Sequence, residues 1–131
     1  KKNLSLDIND FDTSFVRGLS VEDGSATLTY LTAQIISASI NYYVSKTDNN
    51  INKIIVCGGG RKNNELMNII KKNSSKKFDF KNIDDYGLDG DFIESQAFAY
   101  ISIRSLLKLP ISFPNSTGCK SACTGGELIE Y

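Results

Sequence analysis

The run Lys53-Ile54-Ile55-Val56-Cys57, followed directly by Gly58-Gly59-Gly60, constrains this chain more than any other segment. A short, unbroken apolar run rich in β-branched residues is the pattern of a strand covered on both faces. Three consecutive glycines then end it in a turn whose backbone is free of Cβ restrictions. Asn63 or Asn64 is placed to cap a helix with apolar positions Leu66, Met67, Ile69 and Ile70. Strand, glycine turn and helix in that order call for a layered α/β arrangement.

The flanking segments extend the pattern. Residues 1–19, with Asp7, Asn9, Asp10 and Asp12, read as a lead-in loop. Ser20-Val21-Glu22-Asp23 fits a capping box, and Leu28, Leu31, Ile35, Ala38 and Tyr42 form one apolar stripe, so the first helix is expected from about Ser20 to Lys46. Thr47-Asp48-Asn49-Asn50 is a turn cluster. Lys76 to Lys81 alternates with period two, as a strand with one wet face does. Asp89 is placed to cap a helix from about Gly90 to Lys108 that is apolar on most sides and is expected to be central and mostly buried. Pro110 and Pro114 end it, and residues 125–131 offer a final short strand. The expectation is a single α/β domain over residues 1–131, a small sheet packed with helices. A sheet of two or three strands leaves open edges, so further strands are expected in a preceding part of the protein. The start at Lys1, without methionine and inside a polar segment, likewise reads as a processed chain or a piece of a longer one.

Composition narrows the chemistry. Fifteen basic residues against fifteen acidic ones give a formal charge of zero, which argues against a binder of nucleic acid or anionic membrane. With no histidine and only Cys57, Cys119 and Cys123, the chain assembles neither a common zinc site nor a Ser-His or Cys-His pair. No metal ligands are therefore expected, and acid–base work falls to carboxylates. The thiols are expected to be reduced. No apolar stretch approaches the roughly 20 residues that span a bilayer, and the expected location is the cytoplasm.

Three groups stand out as candidates for function. The glycine run suits either nucleotide contact or a plain strand-to-helix turn, since it matches neither of the standard phosphate-loop patterns. Arg61 and Lys62 beside it suit phosphate contacts or solvation. Glu94, one turn into an apolar helix, is costly to bury unless it is paired or used, which leaves a catalytic role or a structural hydrogen bond. Ser116-Thr117-Gly118 also offers hydroxyls in a loop but is unremarkable alone.

Five ordered motifs carry a resemblance. They are Glu22-Asp23 with Ala26-Thr27-Leu28; Val56 to Gly60 with Asn63 and Leu66-Met67; Gly87 to Tyr100; Leu109 to Pro114 with Thr117-Gly118; and Thr124-Gly125-Gly126. In this order the chain resembles the C-terminal half of the anhydro-N-acetylmuramic acid kinase family, within the sugar kinase and actin-like ATPase superfamily. The resemblance implies the C-terminal lobe of a ribonuclease H-like, two-lobed enzyme that binds ATP with Mg²⁺ between its lobes. It implies that ATP and water are used to open 1,6-anhydro-N-acetylmuramic acid to N-acetylmuramic acid 6-phosphate in cell-wall recycling. Gly58, Gly59, Gly60 and Asn63 would border the nucleotide, and Glu94 would face the sugar and position the attacking water. The family's phosphate segment and general-base aspartate belong to the N-terminal lobe and have no counterpart here, so the chain alone is expected to be inactive. Family members resemble homodimers. Arg61 departs from the small residue more common at its position, and Cys119 from a small aliphatic one. A non-catalytic interaction module, or a kinase for another sugar, is the competing reading.

Overall fold

A computed structural model describes residues 8–46 and 51–129. The expected turn at 47–50 and residues 1–7 of the lead-in lie outside the described residues, as do the last two positions of the expected final strand. The chain forms two compact units, Thr13–Ile93 and Glu94–Tyr131 with Lys1–Asp12.

In the first of these, Ser20 starts the long helix α1, Val21–Lys46, by accepting the Asp23 amide on its hydroxyl at 3.0 Å. That bond satisfies one of the orphan amides of the first turn and is the serine half of the expected capping box. α1 packs on helix α2, Asn64–Asn73, and buries the small residues Ala33 and Ser37. Placed four apart, these lie on one helix face. Ser37 returns its hydroxyl to the Ala33 carbonyl at 2.8 Å, so the buried polar group is satisfied. Ile70 and Phe78 complete the buried apolar set among the described residues. Asn41 of α1 reaches the end of α2: its Nδ2 donates to the Asn73 carbonyl at 3.0 Å and its Oδ1 accepts the Ser75 amide at 2.7 Å. A side chain thus closes both a helix-end carbonyl and the following amide.

Strands β1, Lys53–Val56, and β2, Asp79–Asn82, pair in parallel, with Lys53 opposite Asp79 and Val56 opposite Asn82. The parallel pairing needs a crossover, which α2 supplies. β1 alternates rather than lying covered on both faces, and Ile55 is 48% exposed. The β-branched run identified a strand but carried no information on how many layers cover it. β2 begins three residues later than the period-two pattern indicated, at Asp79, with Phe78 buried just before it and set edge-on to Phe80 at 6.1 Å.

In the second unit, helix α3 spans Ile93–Leu106 and begins later than Asp89 indicated. Asp89 accepts the Asp91 amide at 2.9 Å in a local turn, so residues 90–92 are not helical. α3 is not the buried central helix expected from its composition. None of its residues is buried, and Phe98, Tyr100, Ile103 and Leu106 are all exposed. Its end is a Schellman arrangement: Leu109 N donates to the Arg104 carbonyl at 2.8 Å and Lys108 N to that of Ser105 at 2.9 Å, with Lys108 left-handed at φ 58°. Arg104 Nε then donates to the Pro110 carbonyl at 2.8 Å, and Pro114 opens the single-turn helix α4, Pro114–Thr117. Among the described residues the expected final strand is replaced by an isolated antiparallel bridge between Ser112 and Cys123.

Candidate functional site

The glycine turn leaves β1 through Gly58, whose φ of 77° and ψ of 171° suit glycine and strain any other residue. Gly59–Lys62 then make a short 3-10 turn into α2. Of the two candidate caps Asn63 is the one used: its Oδ1 accepts the Leu66 amide at 3.0 Å. A Cβ added at Gly58 or Gly59 meets nothing within 4 Å, so the space before these two residues is open and the backbone is accessible to a ligand. Gly60 instead lines an apolar cavity of about 330 Å³ with Ile36, Ile40, Ile54 and Met67. The turn therefore has an open side and a side set into the apolar layer.

Arg61 does not point a free charge outward. Its guanidinium donates to both oxygens of Asp84, Nε to Oδ2 at 2.7 Å and Nη2 to Oδ1 at 3.2 Å. Nη1 donates to Asp91 Oδ1 at 2.6 Å and to the Gly58 carbonyl at 3.0 Å. Only 6% of the side chain is exposed. Asp91 also takes the exposed Lys62 ammonium on its other oxygen at 2.5 Å. The Asp84 carboxyl is drawn down to about 2 by the Arg61 hydrogen bonds first and the Gly90 amide second, and Asp91 is lowered by Arg61 and then Lys62. The same carboxylates raise Arg61 further above neutrality. Two cations and two anions thus cancel within the cluster.

The loop carrying these carboxylates is fastened to the turn by backbone as well. Gly58 N donates to the Gly90 carbonyl at 2.9 Å, and Gly90 N donates to Asp84 Oδ1 at 3.0 Å. Gly90 is buried so tightly that an added Cβ would stand 2.6 Å from Arg61 Nε. Upstream, Asn82 and Asp85 cap the 3-10 turn Ile83–Tyr86, Asn82 Oδ1 taking the Asp84 amide at 3.3 Å and Asp85 Oδ2 the Asn82 amide at 3.2 Å.

Gly58, Gly59, Gly60 and Asn63 are therefore brought together with a partner loop that sequence spacing did not reveal. Glu94 lies in the other unit, exposed on the first turn of α3. The desolvation argument from its apolar helix does not hold in this chain, because that helix is itself exposed. In the same unit the Ser112 and Thr117 hydroxyls hydrogen-bond each other. Cys57, Cys119 and Cys123 are free thiols. Cys119 is lowered by hydrogen bonds from Thr117 first and from Ser112 and Cys123 besides, while Cys123 is raised by burial and by the neighbouring Cys119. Among the described residues no group of three or more Asp, Glu, Cys or His side chains is arranged to hold a metal ion, and no helix is long and apolar enough to cross a membrane.

The family model for anhydro-N-acetylmuramic acid kinase matches residues 3–130. The chain belongs to this family. Curated relatives carry the same description: a protein from Pelagibacter ubique is 55% identical over 99% of this chain and 35% of its own length. One from Zymomonas mobilis is 40% identical over 95% of this chain and 32% of its own, and one from Caulobacter vibrioides 38% identical over 95% and 32%. The chain thus spans about a third of the length of the curated relatives it matches. Within the family region, β1, the glycine turn, α2 and the Asp84–Asp91 loop are one continuous stretch of compact structure.

Proposed function

We propose that this chain is the C-terminal, nucleotide-facing lobe of a two-lobed anhydro-N-acetylmuramic acid kinase with a ribonuclease H-like, actin-like ATPase fold. The whole protein converts 1,6-anhydro-N-acetylmuramic acid, ATP and water to N-acetylmuramic acid 6-phosphate and ADP. The observation that carries this reading is the family match across residues 3–130, which includes the β1–glycine turn–α2 segment with its open backbone side.

In this reading Gly58, Gly59 and Gly60 border the nucleotide, with the Gly58 amide and carbonyl already held by Gly90 and Arg61, and Asn63 holds the start of α2 beside them. ATP supplies the phosphoryl group, with Mg²⁺ carried on its phosphates. Phosphoryl transfer leaves little covalent work for the protein, so a rigid backbone edge serves it well. Glu94 orients the water that opens the anhydro ring, for which an ionised carboxylate at hydrogen-bond reach is suited. As an exposed side chain on α3, it is free to meet a substrate held by the other lobe.

The apolar, exposed surface of α3 supports the presence of a covering partner. We assign that partner to the N-terminal lobe of the same protein, consistent with relatives about three times as long. The complete enzyme is cytoplasmic and a homodimer in this reading, and the 131-residue chain alone has no turnover.

Sugar-dependent release of ADP tests the reading. The full-length protein with Mg²⁺-ATP is expected to form ADP when 1,6-anhydro-N-acetylmuramic acid is added and not without it. Release with another sugar only would reassign the substrate, and no release with any sugar would favour a non-catalytic module.

A further inference from the structure

The five donors of a guanidinium are fixed in one plane, so an arginine already engaged on both sides has little left to offer a ligand. Arg61 is in that condition: four hydrogen bonds tie it to Asp84, Asp91 and the Gly58 carbonyl. Its side chain is almost wholly covered, and both carboxylates it meets are ionised. A phosphate would have to displace two carboxylates to reach it. Meanwhile the groups it touches are those that set the course of the glycine turn. The Gly58 carbonyl accepts from Arg61 twice, from Nη1 at 3.0 Å and from the main-chain amide at 3.3 Å, while the Gly58 amide is held by Gly90. Asp84, gripped by Arg61, holds the Gly90 amide in turn. Gly58, Arg61, Asp84 and Gly90 therefore form a closed ring of hydrogen bonds, with Asp91 and Lys62 as a side branch.

We infer that Arg61 is a positioning residue that fixes the Gly58–Gly60 turn against the Asp84–Asp91 loop before nucleotide arrives, and that it is not a phosphate ligand. Three consecutive glycines have more backbone freedom to lose than other residues, and ordering them on binding would weaken the complex. The ring supplies that order in advance. The inference rests on the reading that the glycine turn borders the nucleotide.

The test uses the full-length protein. Arg61→Ala is expected to raise KM for ATP about tenfold, the scale at which loss of an orienting contact is felt, with a smaller effect on kcat. Asp84→Asn is expected to raise it similarly, and the double variant no more than either single one, because all three open the same ring. Arg61→Lys, which keeps charge and fold but loses the fork, is expected to fall on the impaired side. A phosphate ligand behaves otherwise: Arg61→Lys would retain affinity, and Asp84→Asn would leave ATP binding unchanged or tighter. Either result overturns the inference. Hydrogen exchange at the Gly58 amide without nucleotide is the second readout, and protection is expected to fall in Arg61→Ala; unchanged protection also overturns it. Gly58→Ala separates the underlying reading. If that strained variant leaves KM for ATP unaltered, the turn does not border nucleotide and the proposed function of the turn fails, while the exchange result still decides the ring.

Discussion

Arg61 and Asp84, 23 residues apart in sequence, meet through two parallel hydrogen bonds of 2.7 and 3.2 Å. This forked pair joins the turn after β1 to the loop after β2, so the two strand ends are connected by side chains as well as by the sheet. Forked arginine–carboxylate pairs combine charge with fixed orientation, which separates them from ordinary surface ion pairs.

Acid should loosen this connection in a defined window. Asp84 titrates near 2 in the folded chain against an ordinary 3.8, and Asp91 is shifted in the same direction. Since the folded value lies below the unfolded one, the unfolded chain takes up the proton first as pH falls. The stabilisation is therefore complete above about pH 4 and is lost as pH falls toward 2. Melting temperature measured between pH 6 and 2 should drop along this limb, and Asp84→Asn should start lower and show a flatter one. Parallel curves for the two proteins would contradict the assignment.

Gly90 should not tolerate a methyl group. An added Cβ stands 2.6 Å from Arg61 Nε and 2.9 Å from Ile83 Cγ2, and the guanidinium is held in place by two carboxylates rather than free to swing away. Gly90→Ala is expected to destabilise by about 1–3 kcal/mol, the range for overpacking. Urea unfolding of Gly90→Ala alone and with Arg61→Ala measures this, and the second change should make the first less costly.

Lys108 invites the opposite outcome. It occupies the left-handed position that ends α3, at φ 58°, where glycine is the common occupant. Lys108→Gly should relieve the Cβ strain and raise stability by about 1 kcal/mol, read as a higher urea midpoint at unchanged m-value.

The sulfur of Cys119 should alkylate as a more acidic thiol than a free cysteine. Thr117 is the leading cause of its lowered pKa, so Thr117→Val should shift the pH profile of iodoacetamide labelling at Cys119 upward. Peptide mass mapping of the labelled chain reports this site separately from Cys57 and Cys123.

Local signals carried well from sequence to structure where the physics is local. The Ser20 cap, the β1–glycine turn–α2 order and the Asn63 cap all depend on residues within a few positions of one another. The Arg61 ring was not legible, because its partners lie 23 and 30 residues away and nothing in a charge run specifies which charges meet. Arg61 therefore read as a phosphate contact or a solvated group, and neither matches its engaged, covered state. α3 marks a different boundary. Its composition reads as that of a buried helix and the structure leaves it exposed, because periodicity reports what a helix can bury and not whether its own unit supplies the cover. The argument for Glu94 inherited that gap.

The most direct test of the central claim is the mass of the sugar product formed by the full-length protein from 1,6-anhydro-N-acetylmuramic acid and Mg²⁺-ATP in ¹⁸O-labelled water. The account expects a gain of one phosphoryl group and one water, with the label in the product, and sharply reduced product from Glu94→Gln at unchanged melting temperature. A product that gains only a phosphoryl group, with no label, would contradict coupled ring opening and leave Glu94 without the role assigned to it.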